Sequence, residues 1–267
     1  MIEVNGLKKV FQLSKKQMKV NKTSEKYKVA VDGIDFKVYD NEIFGLLGPN
    51  GAGKTTTLRC LSTLIAPSSG TIKVNGYDCV KDPLEVRSQL AFLTSELKLD
   101  THFTPDYTTR FFGKLHNMDE ALIERRMNHL FDYFGVTPFR FTKIADLSTG
   151  MKQKLSIAVS LIHDPNLIIF DEPTNGLDII TAKAVTDYLL ELKSKGKTII
   201  ISTHMMHVAE KLCDRIGIIM DGRIKAIGSL GEILLSTGQD SLEDSFFTSF
   251  VFCLFFCVYL CKFIFAY

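Results

Sequence analysis

The sequence is short of net charge. Its 32 Lys and Arg against 30 Asp and Glu leave +2 over 267 residues. That removes the basic footprint expected of a nucleic-acid or anionic-lipid binder, so no nucleic-acid partner is expected. It also lacks an ordered cysteine pattern. Cys60, Cys79 and Cys213 stand singly, and Cys253, Cys257 and Cys261 share one apolar tail without a His or acid nearby. No C-x-x-C spacing occurs, so neither a zinc site nor a secreted disulfide framework is expected. Met1 to Leu7 has neither the basic start nor the apolar run of a signal peptide. No repeat of fixed period is present. These absences point to a reduced, cytoplasmic body.

What is present suits an ordinary globular chain, with 46 % apolar and 23 % charged residues. The length allows one large domain or two small ones. The first ninety residues read mostly as strands. Val29 to Val38 is one, with Asp32-Gly33 expected as a turn, and Thr71 to Val74 is another, closed by Asn75-Gly76. The Lys-rich stretch Gln12 to Lys28 reads as an exposed hairpin or loop. Ile43 to Leu47, Leu167 to Phe170 and Thr198 to Ile201 are short apolar runs of the kind that fill a sheet buried on both faces. Ala91 to Thr94 is a further short strand. Between them lie helical stretches, among them Ala121 to Phe134, Thr181 to Lys193 and Met206 to Cys213. Asp221-Gly222 sets a hairpin between Ile216–Met220 and Arg223–Ile227. Strands alternating with helices indicate an α/β domain with a largely parallel sheet.

Gly48-Pro49-Asn50-Gly51-Ala52-Gly53-Lys54-Thr55 fits G-x-x-x-x-G-K-[ST] between a buried strand and a helix that continues through Thr56. Glycines let the backbone approach phosphate, and the N–H groups converge at the positive end of the helix. Lys54 adds a point charge toward the β- and γ-phosphates, and the Thr55 hydroxyl suits Mg²⁺. The strand Leu167 to Phe170 runs into Asp171 and Glu172, where ligands of open α/β sheets bind. Asp171 suits a role on Mg²⁺, and Glu172 suits orienting and polarising the attacking water. Ser202-Thr203-His204 ends the next strand in the same manner, which places His204 within reach of a γ-phosphate.

Leu147-Ser148-Thr149-Gly150-Met151 precedes a helix that leads into the Asp171 strand. Together with the phosphate loop and Asp171-Glu172-Pro173, it resembles the ATP-binding-cassette (ABC) family, over roughly Ile2 to Ile233. The family signature usually reads Leu-Ser-Gly-Gly-Gln; here Thr149 and Met151 depart from it, while Ser148 and Gly150 remain. The resemblance implies an α/β P-loop NTPase core with an antiparallel β subdomain and a helical insert, over about 1–240 with the insert near 97–146. It implies ATP and Mg²⁺ as ligands, Glu172 and His204 as catalytic residues, Asp178 in the D-loop, and Phe11 stacked on adenine. Tyr27 is a rival for that stacking position, and a core aromatic is the alternative reading of Phe11. The family's usual Gln near the Mg²⁺ is replaced by Ser95, followed by Glu96.

Phe92 to Ser95, Leu147 to Lys154 and Ser241 to Asp244 are most similar to the sodium-exporter (NatA-like) branch. The resemblance implies head-to-tail pairing, most simply as a homodimer, with each ATP between Lys54 of one copy and Ser148 of the other. It also implies separate membrane-spanning subunits, work at the cytoplasmic face of the membrane, and export. A soluble or regulatory cassette without a transport partner is the alternative. Phe103 to Leu115, with Phe111 and Phe112, is where the family meets its membrane partner; packing within the insert competes with that reading. Residues 245–267 are compositionally foreign. A C-terminal anchor, a frameshift product and a buried helix remain open for them.

Overall fold

Two patterns of burial separate two sheets. The computed structural model describes residues 1–20, 23–94 and 99–248. The chain opens with β1 (Ile2–Gln12), a short exposed helix α1 (Lys15–Val20) and β2 (Tyr27–Val38). Then come β3 (Ile43–Leu47), α2 (Lys54–Leu61), β4 (Ser69–Val74) and β5 (Tyr77–Asp78). Strands β2, β1, β4 and β5, in that order, form an antiparallel sheet that buries Ile2, Val4, Leu7, Ile34, Phe36, Ile72 and Val74 on one face. This is the antiparallel subdomain. Asn75 and Gly76 both have positive φ, 49° and 87°, as a tight hairpin turn requires.

The turn expected at Asp32-Gly33 is not there. β2 runs straight through it, and Gly33, with φ 69°, is the extra residue of a bulge between the pairs Leu7–Ile34 and Lys8–Asp32. The reason lies across the strands. Asp32 is held by Lys8 at 2.9 Å and Arg223 at 2.7 Å, and its N–H donates to the Gly222 carbonyl at 2.8 Å. These contacts keep Asp32 extended.

The second half supplies α3 (Pro83–Gln89), β6 (Leu90–Thr94), α4 (Pro105–Leu115), α5 (Glu120–Phe134) and α6 (Thr149–Ser160). It continues with β7 (Leu167–Asp171), α7 (Ile179–Ser194), β8 (Thr198–Thr203), α8 (Met206–Leu212), β9 (Arg215–Met220), β10 (Arg223–Gly228) and α9 (Leu230–Thr237). The six-stranded sheet has the order β10-β9-β3-β8-β7-β6. All its pairings are parallel except the β9–β10 hairpin. Every residue of β3, β7 and β8 is buried, as in a sheet covered on both faces. Each buried Ile or Leu there removes enough apolar surface to contribute about 2 kcal/mol.

The order matters more than the strand count. β8 lies between β3 and β7, with Leu47 paired to Thr203 and Asp171 to Ser202. The three chains therefore leave the sheet at one level and on one side, carrying the phosphate loop, the two acids and His204 with them.

The insert is helical as expected. Asp119 caps α5 by accepting from Leu122 N–H at 2.8 Å, and Gly135, with φ 66°, ends it. One face of α5 buries Ile123, Met127, Leu130 and Phe134. Beyond α9, Leu242 and Phe246 pack with Leu47, Ile216, Ile218 and Ile233. Residues 242–248 are helical, so the first residues of the apolar tail are part of the packed body. The rest of that tail lies outside the described residues. Among the described residues no helix is long and apolar enough to cross a membrane.

Candidate nucleotide site

The phosphate loop leaves β3 and becomes α2 within a few residues. Gly51 and Gly53 have φ of 84° and 108°, where a side chain is strained. A Cβ on Gly53 would sit 2.6 Å from the Ala30 carbonyl, and one on Gly48 would sit 2.2 Å from that of Ile219. The loop is thus pressed against β2 and β9, and only glycine fits. Lys54 opens α2 and is 5 % exposed; its Nζ donates to the carbonyls of Gly48 at 2.6 Å and Pro49 at 3.2 Å. The same ammonium lies 3.2 Å from Glu172 Oε1.

The two acids at the end of β7 have different settings. Asp171 is buried, and its Oδ1 accepts from the Thr55 hydroxyl at 3.1 Å and from the Ser202 hydroxyl. Glu172 is the residue after the strand. Its backbone turns into the left-handed region, with φ 55°, a conformation a non-glycine residue keeps only where its surroundings impose it. The Glu172 N–H donates to the Ser202 hydroxyl at 3.0 Å and to its carbonyl at 3.2 Å. The turn aims the Glu172 side chain back across the sheet end, where Oε2 meets His204 Nδ1 at 2.9 Å. A carboxylate, an imidazole and an ammonium thus meet over the phosphate loop.

Phe11, 37 % exposed, lines one cleft of about 250 Å³ with Lys28, the phosphate loop and Glu172. Tyr27 is exposed and does not line this cleft.

Sequence-predicted residues elsewhere lie outside the cleft. Ser148 caps α6 by accepting from Met151 N–H at 3.3 Å. Leu147 is buried in the core, whereas a Cβ on Gly150 would meet nothing within 4 Å. Thr149 lines a different, smaller pocket, with Lys152 and Glu172. Asp178 caps α7, accepting from the N–H groups of Ile180 and Thr181, both at 3.0 Å, and from the Thr181 hydroxyl at 2.6 Å. The Thr181 bonds hold its carboxyl below the usual carboxylate range. Ser95 and Glu96 lie outside the described residues.

Sequence reasoning missed Ser202, the left-handed Glu172 and the cleft-lining Lys28. Ser202 had a signal. It is a polar residue at the end of an apolar run, and its position becomes informative once β8 is placed beside β7.

Comparison with known proteins identifies the family. The family described as "ABC transporter" matches residues 31–175. The ABC transporter ATP-binding protein NatA of Bacillus subtilis (strain 168) is 35 % identical, covering 92 % of this chain and 96 % of its own. The linearmycin resistance ATP-binding protein LnrL of the same organism is 36 % identical over 80 % of this chain and 69 % of its own. Among solved structures, an ATP-binding subunit of an ABC transporter superposes with TM-score 0.83 at 31 % identity, covering 93 % of this chain and 99 % of that one. A dimeric cassette in a post-hydrolysis state with ADP and Pi shares the fold at TM-score 0.75 and 22 % identity, over 86 % of this chain and 99 % of that one. The chain therefore belongs to the ABC transporter family as an ATP-binding, ATP-hydrolysing subunit.

Proposed function

We propose that this subunit drives an exporter from the cytoplasmic face of the membrane, as a head-to-tail dimer joined to separate membrane-spanning subunits. Phe11 and Gly48 to Thr56 hold the nucleotide, and Lys54 leaves Glu172 for the β- and γ-phosphates. Glu172 takes the proton of the attacking water, and His204 holds the Glu172 side chain and donates to the γ-phosphate. Ser148 and Gly150 of one copy complete the site of the other, with Asp178 linking the two. Residues 1–240 carry this ATPase unit. The observation that carries the reading is the convergence of the phosphate loop, Glu172 and His204 at the ends of three adjacent strands.

The residues present suit Mg²⁺. The Thr55 hydroxyl and the Asp171 carboxylate, 3.1 Å apart, are hard oxygen donors beside the loop, and ATP phosphates would supply further oxygens. Bound there, Mg²⁺ would neutralise part of the phosphate charge. Ser95 is a further candidate for its surroundings.

Export is supported by the relatives, whose names include daunorubicin resistance and Nod factor export proteins. One name prints export and the other resistance, with different molecules, so the names favour export without pointing to a particular cargo. Na⁺ is the cargo to assay first, because of the resemblance to the sodium-exporter branch.

The test is affinity purification of the full chain from detergent-solubilised membranes of its native host. The expected result is co-purification of a multi-span protein that raises ATP turnover. Recovery of the chain free of any membrane protein, with unchanged turnover, would remove the exporter reading.

A further inference from the structure

We infer that Ser202, through its side-chain hydroxyl, is a positioning residue for hydrolysis: it fixes the Glu172 carboxylate and the Asp171 carboxylate relative to each other. The inference rests on the roles proposed above for those two acids.

Ser202 is the penultimate residue of β8 and is fully buried, with 0 % exposure. A hydroxyl has one proton to give and two lone pairs to accept with. Here the proton goes to Asp171 Oδ1, and a lone pair takes the Glu172 N–H at 3.0 Å. One side-chain atom thus bridges consecutive acids with different tasks. The carbonyl of the same residue takes the Glu172 N–H as well, at 3.2 Å. Glu172 is thereby pinned at the point where its backbone enters the left-handed region, a conformation that a non-glycine residue keeps only where its surroundings enforce it.

The neighbouring residue does a different job. Thr203 gives its carbonyl to the Gly48 N–H at 3.2 Å and its hydroxyl oxygen to the Met205 N–H at 3.0 Å. It therefore serves the phosphate loop and the turn carrying His204. Ser202 lies one position earlier on the strand, so its side chain leaves the opposite face of the sheet, where its hydroxyl meets Asp171 at the end of the neighbouring β7. A structural serine at a strand end needs one partner for its proton. This one sits where Asp171 also accepts from Thr55, so a continuous chain of hydrogen bonds runs Thr55–Asp171–Ser202–Glu172 and ends at His204 and Lys54.

Without the hydroxyl, Glu172 keeps its side chain and its carbonyl-bonded amide, but its backbone loses one of two restraints and Asp171 loses a donor. The reacting geometry loosens, whereas the phosphate loop, which grips the nucleotide through other groups, does not. Turnover should therefore fall without a matching loss of ATP affinity.

The experiment compares Ser202→Ala, Ser202→Cys and Ser202→Thr in the full chain, with Glu172→Gln as reference. The readouts are steady-state ATP hydrolysis, binding of a fluorescent ATP analogue with and without Mg²⁺, and Tm. The expected result is a fall in kcat of about tenfold for Ser202→Ala, with KM and analogue affinity within about twofold, as for loss of one hydrogen bond to a charged group. Ser202→Thr, which keeps the hydroxyl, should recover most of the loss, and Ser202→Cys should lie between. If Ser202→Ala does not fold, the difference between Thr and Cys decides. Equal kcat for all folded variants, with Glu172→Gln inactive, would overturn the role of Ser202 and leave the reading of Glu172 standing. Normal turnover by Glu172→Gln would take both away. A fall in kcat accompanied by an equal loss of analogue affinity, not recovered by Ser202→Thr, would reduce Ser202 to a structural residue.

Discussion

The nucleotide cleft and the helical insert are built by opposite means. At the cleft, polar groups pair in a chain anchored on strands with no exposed residue: Thr55 to Asp171, Ser202 to both acids, Glu172 to Lys54 and His204. In the insert, polar groups tie helices together at the surface. Arg110 and Arg140 hold Asp106 and Glu124 between them, with Glu120 and Asn128 at the edge. The first arrangement fixes atoms for chemistry. The second fixes one helix against another and leaves Phe103, Tyr107 and Phe111 exposed for packing on something else. If this division holds, changes at the cleft should alter turnover more than stability, and changes in the insert the reverse.

The sharpest break is at Glu172. Glu172→Gln keeps the size of the side chain and removes its basicity, so turnover should drop by about 100-fold or more. ATP affinity should stay within a few-fold, and the dimer should persist with ATP bound. Single-turnover hydrolysis and size-exclusion chromatography with ATP check both parts. Undiminished hydrolysis would remove Glu172 from the chemistry.

Lys54→Ala should act on binding instead. It deletes the cation at the phosphate loop and leaves the Glu172 carboxylate with His204 alone among the described residues. The expected rise in ATP Kd is about tenfold to a hundredfold, read by titration calorimetry. Unaltered affinity would count against the phosphate-loop assignment.

On the other side of the comparison, Arg140→Ala removes bonds to Asp106 at 2.6 Å, Glu124 at 2.9 Å and Asn128 at 2.7 Å. These groups are partly solvated, so the expected cost is about 1 kcal/mol, a fall in Tm of roughly 2–4 °C for a chain of this size. Turnover by the isolated subunit should stay within about twofold. A large loss of activity at unchanged Tm would blur the division.

The two regions also differed in how legible they were. The glycines, Lys54, Asp171, Glu172 and His204 were readable because phosphate chemistry demands particular residue types at strand ends, and strand ends show as apolar runs. The insert was readable only as helix, since its ion pairs join residues such as Arg110 and Glu124 that no local pattern connects. Ser202 was hidden for a related reason. Its role follows from β8 lying between β3 and β7, and strand order is a long-range fact. The Asp32-Gly33 turn failed in the same way, since a good turn pair was overruled by Lys8 and Arg223 from other strands.

The smallest expected effect lies at the joint between the two regions, where His116, at the end of α4, stacks on His163 with ring centroids 3.8 Å apart. His163 Nε2 lies 3.4 Å from the Leu90 carbonyl at the start of β6, so the pair touches insert and core together. Burial, and then the neighbouring His116, push His163 down to about 4, with Arg126 acting in the same direction and the Leu90 bond and Asp164 opposing. Burial lowers His116 as well. Both rings are therefore neutral in the folded protein over a range where the unfolded chain already binds protons. Between about pH 6.5 and pH 4 the unfolded state holds more protons than the folded one, so stability must fall as pH falls through that window. His163→Gln, which removes the more strongly depressed group, should shallow that fall while lowering Tm modestly at pH 7.5, where the ring stacking and the Leu90 contact are altered. Tm measured from pH 7.5 to pH 5.0 in both proteins checks it. Parallel curves would mean that the stacked pair does not set the acid sensitivity of this joint.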